Sequence, residues 1–348
     1  MNTKDGVLEN VIAVGIPLCQ YAQKQQPRRG PGRPPVIPDW FIAIMIMVAI
    51  AKGKTSKASQ LRFWSQHQHL LNSFRGDWEF PSQSTYYERY RRCWKIFEKA
   101  IEIHTRKAIG YRWIDAEVAS VDKSVIPARG KRPRKSRSRR RQHRVDHEAT
   151  WTWSGYHGWV YGYSFEVVLT STKSTVNWPM MASADTASRS ETRTLAEKLP
   201  RLPSIVKYLL ADRGYDADDH CEAWEWNGDK RTSRRFVCPT RRSSRPAAKK
   251  KHKKSKSRIR RQAHRALRKA FVKSKKGQKL YKQRSQTIEP FNSWFKLLFK
   301  LNDRVWHRGL ANNQTQILAA IFLYQVLLRI NFAFGKKNGQ IKWMIDGL

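Results

Sequence analysis

The stretch LLADRGYDADDHCEAW, residues 209–224, places four aspartates within the eight positions from Asp212 to Asp219. It continues the apolar run SIVKYLLAD (204–212), the pattern of a strand covered on both faces. A helical pattern follows over roughly 217–227. Strand, acidic turn and helix in that order predict an α/β domain at this point. Asp212 closes the strand, whereas Asp216, Asp218 and Asp219 fall in the turn and first helical turn. Carboxylates there cap the helix and complement its positive end. The spacing does not fit a calcium loop, which needs Asp-x-Asp-x-Asp-Gly.

Upstream, AEVASVDKS (116–124) is a β-branched run ending at Asp122, and YSFEVVLT (163–170) alternates with Phe165, Val167 and Leu169 on one face. Downstream, amphipathic patterns predict helices over about 290–301 and 313–333. These elements predict an α/β domain over 113–335, followed by a tail at 336–348. Residues 1–112 read as a basic, all-helical region expected to bind DNA, with helices over 40–52, 55–71 and 80–110. Within the last, Arg89, Arg91, Arg92 and Lys95 accompany Tyr86, Tyr90 and Trp94, a pattern that suits either a DNA-recognition helix or a bundle element with a solvated basic face. RRGPGRPPVIP (28–38) is excluded from regular structure by its prolines, and its Gly-Arg-Pro core resembles a minor-groove AT-hook.

The 348 residues carry 69 Lys and Arg against 27 Asp and Glu, a net charge of +42. A polyanion is the natural partner of such a chain. The charge is concentrated in a basic loop, ARGKRPRKSRSRRRQHR (128–144), and a basic insertion over about 240–284, partly helical near 258–273. Cys19, Cys93, Cys221 and Cys238 form no Cys-x-x-Cys pair, so neither a zinc site nor a disulfide framework is expected. The apolar runs at 40–51 and 317–328 are too short to span a bilayer. No membrane partner is expected, and free thiols suit the cytosol.

Two of the expected strands end in aspartate, at Asp122 and Asp212, and ligands of open α/β sheets sit beyond strand ends. Glu289 is the only acid between Asp229 and Asp303. Pro290 suits a first helical turn, so Glu289 is expected at the helix start, with Lys296 and Lys300 near its face and Phe291, Trp294, Phe295, Leu298 and Leu301 on the other. Three carboxylates in one place suit Mg²⁺ and phosphodiester chemistry. Asp146, Glu148, Glu166 and Asp185 are competing acids that spacing alone does not remove.

VASVDKS, YLLADRGYD and YKQRSQTIEPFNSWFK resemble the three catalytic blocks of DDE-type bacterial insertion-sequence transposases, and 146–168 and 181–195 resemble the segments between them. Tyr281, Arg284, Glu289 and Lys296 match that family's late Tyr-Arg-Glu-Lys group, with four residues rather than the usual three between Arg284 and Glu289. The resemblance implies an RNase H-like mixed sheet flanked by helices. It implies Asp122, Asp212 and Glu289 as catalytic residues holding two Mg²⁺, with Mn²⁺ as a substitute. Tyr281, Arg284 and Lys296, joined by Lys300 and Arg213, are expected on DNA. It further implies cleavage at element ends, 3′-OH strand transfer, double-stranded DNA as partner, a homodimer or larger assembly, and a prokaryotic, nucleoid-associated location in the cytoplasm. Two other readings share these residues: a non-catalytic nucleic-acid binder derived from a transposase, and a nuclease of the same fold.

Overall fold

A computed structural model describes residues 4–27, 35–130, 145–172, 176–228, 230–240, 256–335, 339 and 341–347. The Gly-Arg-Pro segment, nearly all of the basic loop and the insertion's first part lie outside the described residues. Helices α1 (Lys4–Lys24), α2 (Asp39–Ala51), α3 (Lys57–Gln66), α4 (Asn72–Arg75), α5 (Gln83–Tyr90) and α6 (Trp94–Gly110) open the chain. Strands β1 (Val118–Pro127), β2 (Thr150–Ser154), β3 (Gly158–Thr170) and β4 (Pro179–Thr186) follow, then α7 (Glu191–Lys198), β5 (Tyr208–Leu210) and α8 (Asp218–Glu225). A small ribbon, β6 (Trp226–Asn227) with β7 (Lys230–Arg231), precedes β8 (Arg235–Val237). The chain ends with α9 (Lys256–Lys273), α10 (Lys275–Leu298), α11 (Leu310–Ala333) and α12 (Lys342–Gly347).

β3 pairs antiparallel with both β1 and β4, while β1, β5 and β8 run parallel. The spatial order β4-β3-β1-β5-β8, with β2 continuing the ladder at the amino end of β3, is the RNase H-like mixed sheet that was expected. The parallel strands are short. β5 has three residues against the nine of the expected run, because its partners β1 and β8 each match it over only three positions.

The expected helix over 80–110 is two helices. Ser82 caps α5 by accepting from Thr85 N, and the chain turns at 91–93 before α6. Tyr86 and Tyr90 are fully buried, and Arg89 is paired with Asp39 and the Ile37 carbonyl. Between the two readings of this segment, those three side chains belong to a helix bundle. All eleven residues from Phe41 to Ala51 are buried, so α2 is covered all round.

α11 is long and apolar enough to cross a membrane by length and composition, yet 83% of its apolar window is buried within the fold, against α6, α2, α1 and β4. Two of its buried polar side chains reach partners in the flanking elements. Gln325 Nε2 donates to Ile101 O (3.2 Å) and Thr105 Oγ1 (3.1 Å) on α6 and to Pro179 O (2.6 Å) on β4. Thr315 donates to Tyr90 O at 2.6 Å. One continuous apolar core therefore runs from the front helices through α11 to the sheet.

Candidate active site

β1 runs past Asp122 to Pro127, so Asp122 lies within a strand rather than at its end. The difference has a simple origin: β1 keeps its antiparallel partner β3 to Pro127, whereas its parallel partner β5 stops at the pair Ser120–Leu210. Asp122 and Asp212 each stand two residues beyond that last pair. Neighbouring strands are about 4.8 Å apart, so this register sets two carboxylates side by side at the end of the parallel half-sheet.

Around Asp212 the backbone is fixed. Ala211 N donates to Val237 O (3.1 Å), and the Cys238 thiol donates to Asp212 O (2.9 Å). The Asp212 carboxylate accepts from Gly214 N at 2.7 Å, opening the short turn 213–215. Tyr215 closes that turn by donating to the buried Glu166, which also accepts from Lys198 (2.7 Å). Glu166 is thus committed below the site. The other competing acids are committed elsewhere: Asp146 accepts from Tyr163 and Gly309 N, Glu148 from Leu310 N, and Asp185 pairs with Arg189.

The third block is a single helix, α10, from Lys275 to Leu298. Pro290 lies inside it, and Glu289 is mid-helix rather than at the start. A proline here lacks its donor and disfavours helix in the preceding residue. Buried Thr287, Ile288, Phe291 and Phe295 hold the segment helical all the same. The helix carries Arg284, Asn292 and Lys296 on the face toward β1. Arg284 Nη2 donates to Asp122 Oδ1 (2.7 Å), Asn292 Nδ2 to Asp122 Oδ2 (2.9 Å), and Lys296 Nζ reaches Val125 O (3.5 Å). Arg284 Nη1 donates to Glu289 Oε1 at 3.1 Å. One guanidinium therefore joins two of the three expected acids.

Tyr281 packs half-buried against the small cluster of Val118, Leu210, Val237 and Leu280. Arg213 is exposed on the turn after Asp212. Lys300 is not on this face. The helix stops at Leu298, Lys300 takes a left-handed φ of 53°, and its ammonium lies beside Gly53 of the front helices.

Burial pushes the Asp122 carboxyl up to about 6, with Arg284 opposing and Asp212 adding to the rise. A fourth acid, Glu191, joins this field. Burial, then the nearby Asp212, pushes it up to about 7. Lys123 positions it by holding the preceding loop, donating to Ala187 O (2.8 Å) and Arg189 O (2.7 Å). Burial lowers the Lys123 and Lys296 ammonium groups.

Residues 113–326 match the family model described as a transposase DDE domain. The chain belongs to the DDE transposase family. No curated protein matches it. Among solved structures it is similar to a piggyBac transposase, described as a synaptic complex with hairpin DNA, at 9% identity and a TM-score of 0.41 over 99% of this chain and 79% of that one.

DDE transposases use divalent cations, and the donor chemistry of this transposase suits them: hard carboxylate oxygens, with Asp212 adding to the rise at Asp122 and Glu191. In the arrangement described, no three of His, Cys, Asp or Glu among the described residues stand close enough to hold an ion together. The positive charge between Asp122 and Glu289 is that of Arg284. Glu191 escaped the sequence reading because an acid at a helix start is ordinarily a dipole partner.

The remaining aspartates of the acidic run have a role that the sequence did not disclose. Asp216 and Asp218 receive Arg268 (2.6 and 3.3 Å) and Arg265 (3.3 and 3.6 Å) from α9, and Asp219 receives Arg261 at 3.5 Å. Arg268 and Asp216 side chains are 2% and 3% exposed. The transposase gathers acid here to dock its own basic helix beside the site.

Proposed function

We propose that this transposase cuts DNA at the ends of an insertion sequence and joins the freed 3′-OH to target DNA, with Mg²⁺ held by Asp122, Asp212 and Glu289. The observation that carries the reading is the common register of Asp122 and Asp212 beyond the last parallel pair, with α10 bringing Glu289 onto the guanidinium that already holds Asp122. When bound, a pair of divalent ions activates the attacking oxygen and stabilises the leaving one. Asn292 and Arg284 orient the Asp122 carboxylate. Arg284 is also the residue the family resemblance assigns to phosphate, together with Tyr281 and Lys296, and Arg213 is expected on DNA beside them. Drawing its guanidinium to a phosphate releases Asp122 and Glu289 together, so substrate arrival and acid availability are linked through one side chain. A double-stranded DNA partner, assembly of two or more copies on paired ends, and a prokaryotic cytoplasmic setting complete the proposal.

The test is cleavage of an element-end duplex by purified protein. Asp122→Asn, Asp212→Asn and Glu289→Gln are each expected to abolish Mg²⁺-dependent cutting while DNA affinity stays within about twofold. Full cutting by any one of them removes that residue from the site. Wild-type protein that binds DNA without ever cutting it, with either Mg²⁺ or Mn²⁺, favours the non-catalytic reading.

A further inference from the structure

The chain has 14 tryptophans, and all but three are at least partly buried. The three exposed ones, Trp151, Trp153 and Trp159, all lie on the β2–β3 hairpin. Pairing sets Trp151 opposite Tyr161 and Trp153 opposite Trp159, so the rings form a two-by-two ladder on one face. Ring centroids are 5.2 Å apart in the first pair and 5.7 Å in the second, which is T-shaped. Exposure grows toward the tip: Tyr161 8%, Trp151 38%, Trp159 61%, Trp153 64%, and Tyr156 in the turn 92%. The core makes no use of these outer rings, and an exposed apolar cluster of this kind marks a binding surface.

Position and charge indicate what binds. β3 runs antiparallel to β1, so its amino end projects from the end of the sheet at which Asp122 and Asp212 stand. Val167 is opposite Asp122, and Trp159 is eight residues before it. At about 3.3 Å per residue the tip lies roughly 26 Å from the acids, seven to eight nucleotide steps of about 3.4 Å. The hairpin is also preceded in sequence by the segment 128–144, which has ten Lys or Arg and no acid. A basic stretch of sequence next to a run of exposed aromatic rings is the composition that holds unpaired nucleic acid: charge follows the phosphates, and flat rings stack on bases. A second copy of the chain fits less well. Three indoles of about 200 Å² each, roughly half exposed, offer well under the ~800 Å² per partner of a stable protein interface.

We propose that the 150–161 hairpin is a stacking platform for unpaired nucleobases of the DNA engaged at the Asp122–Asp212 site, with Trp153 and Trp159 as the principal rings. It rests on the reading that this site works on DNA and adds a substrate feature: bases out of the duplex within about eight nucleotides of the bond to be cut.

The experiment measures binding of full-length protein to two labelled duplexes, one fully paired and one with a three-base unpaired bubble carrying 2-aminopurine. Wild type is expected to bind the bubble about tenfold tighter and to quench the 2-aminopurine. Trp153→Ala with Trp159→Ala is expected to erase both effects while leaving paired-duplex affinity and melting temperature unchanged. The corresponding pair of Phe substitutions is expected to keep part of the preference. Tight binding of both duplexes with no preference in wild type overturns the platform and leaves the DNA reading standing. Failure to bind either duplex overturns the DNA reading itself. A change in the sedimenting mass of the DNA-free alanine variant makes this face a contact between copies and overturns the platform.

Discussion

Arg284 donates to Asp122 at 2.7 Å across 162 residues of sequence, with side chains 9% and 16% exposed. Removing one member of a nearly buried ion pair leaves an uncompensated charge, at a cost of about 3–5 kcal/mol. Arg284→Met is accordingly expected to lower unfolding free energy by a few kcal/mol, about 2 to 4, at pH 8 in chelator. Millimolar Mn²⁺ should restore more stability to the variant than it adds to wild type, because the guanidinium supplies the charge a cation would supply. Urea unfolding with and without Mn²⁺ checks this; equal Mn²⁺ responses would count against the exchange.

The raised carboxyls set a pH dependence. Asp122, raised to about 6, and Glu191, raised to about 7, are neutral below those values and charged above them. Cleavage is therefore expected to climb between pH 5 and 8, half-complete between 6 and 7. In stability the sign is opposite. The folded state holds protons that the unfolded state releases near pH 4, so these two groups favour folding less as pH rises from about 4 to 7. Glu191→Gln should then stabilise the metal-free protein at pH 8 and bring little change at pH 4. A uniform effect across pH would disconnect Glu191 from the acid field.

Two glycines separate fold from site. A Cβ at Gly162 would fall 2.1 Å from the Ile126 carbonyl oxygen, a backbone atom that has nowhere to go. Gly162→Ala is expected to cost more than about 2 kcal/mol by overpacking. At Gly214 the added carbon meets Glu191 Oε2 (1.9 Å) and Asp212 Oδ1 (2.9 Å), both ends of movable side chains. Gly214→Ala should stay within about 1 kcal/mol of wild type yet cut DNA at least tenfold more slowly. Thermal melts beside cleavage rates distinguish the two, and the reverse pattern would misplace the site.

The α9 clamp makes a separate prediction. Arg268→Met removes the guanidinium that Asp216 and Asp218 share, and α9 should loosen from α8. Limited trypsin digestion is expected to cut within 256–273 several-fold faster in the variant than in wild type. Equal protection would mean that packing of Phe271 and Val272 against β5 and β8 suffices.

Much of the candidate site was legible in the sequence as a grouping, because the residues proposed for it are rare in their surroundings. Asp122 and Asp212 follow apolar strand runs, and Glu289 is isolated in a basic stretch. The expected RNase H-like sheet and the helical front are present. What sequence misjudged depended on tertiary contacts. Pro290 pointed to a helix start, but buried Ile288 and Phe291 carry the helix through it. Lys300 shares a helical phase with Glu289 only on paper, since the chain leaves the helix at Leu298. Glu191 is ordinary at a helix start and becomes notable only once Asp212 is folded beside it. The three exposed tryptophans looked like their eleven covered counterparts until pairing set two of them across from each other.

Gln325 ties α6 and β4 to one amide on α11, in the middle of an uninterrupted apolar core. The helices that open the chain consequently have no private interior to fall back on. Heating should give a single heat-capacity peak, and a break at the foot of α6 would strand both pieces as aggregates. Any ligand held by those helices is presented to the acids at a fixed angle, as by a jig rather than by an arm.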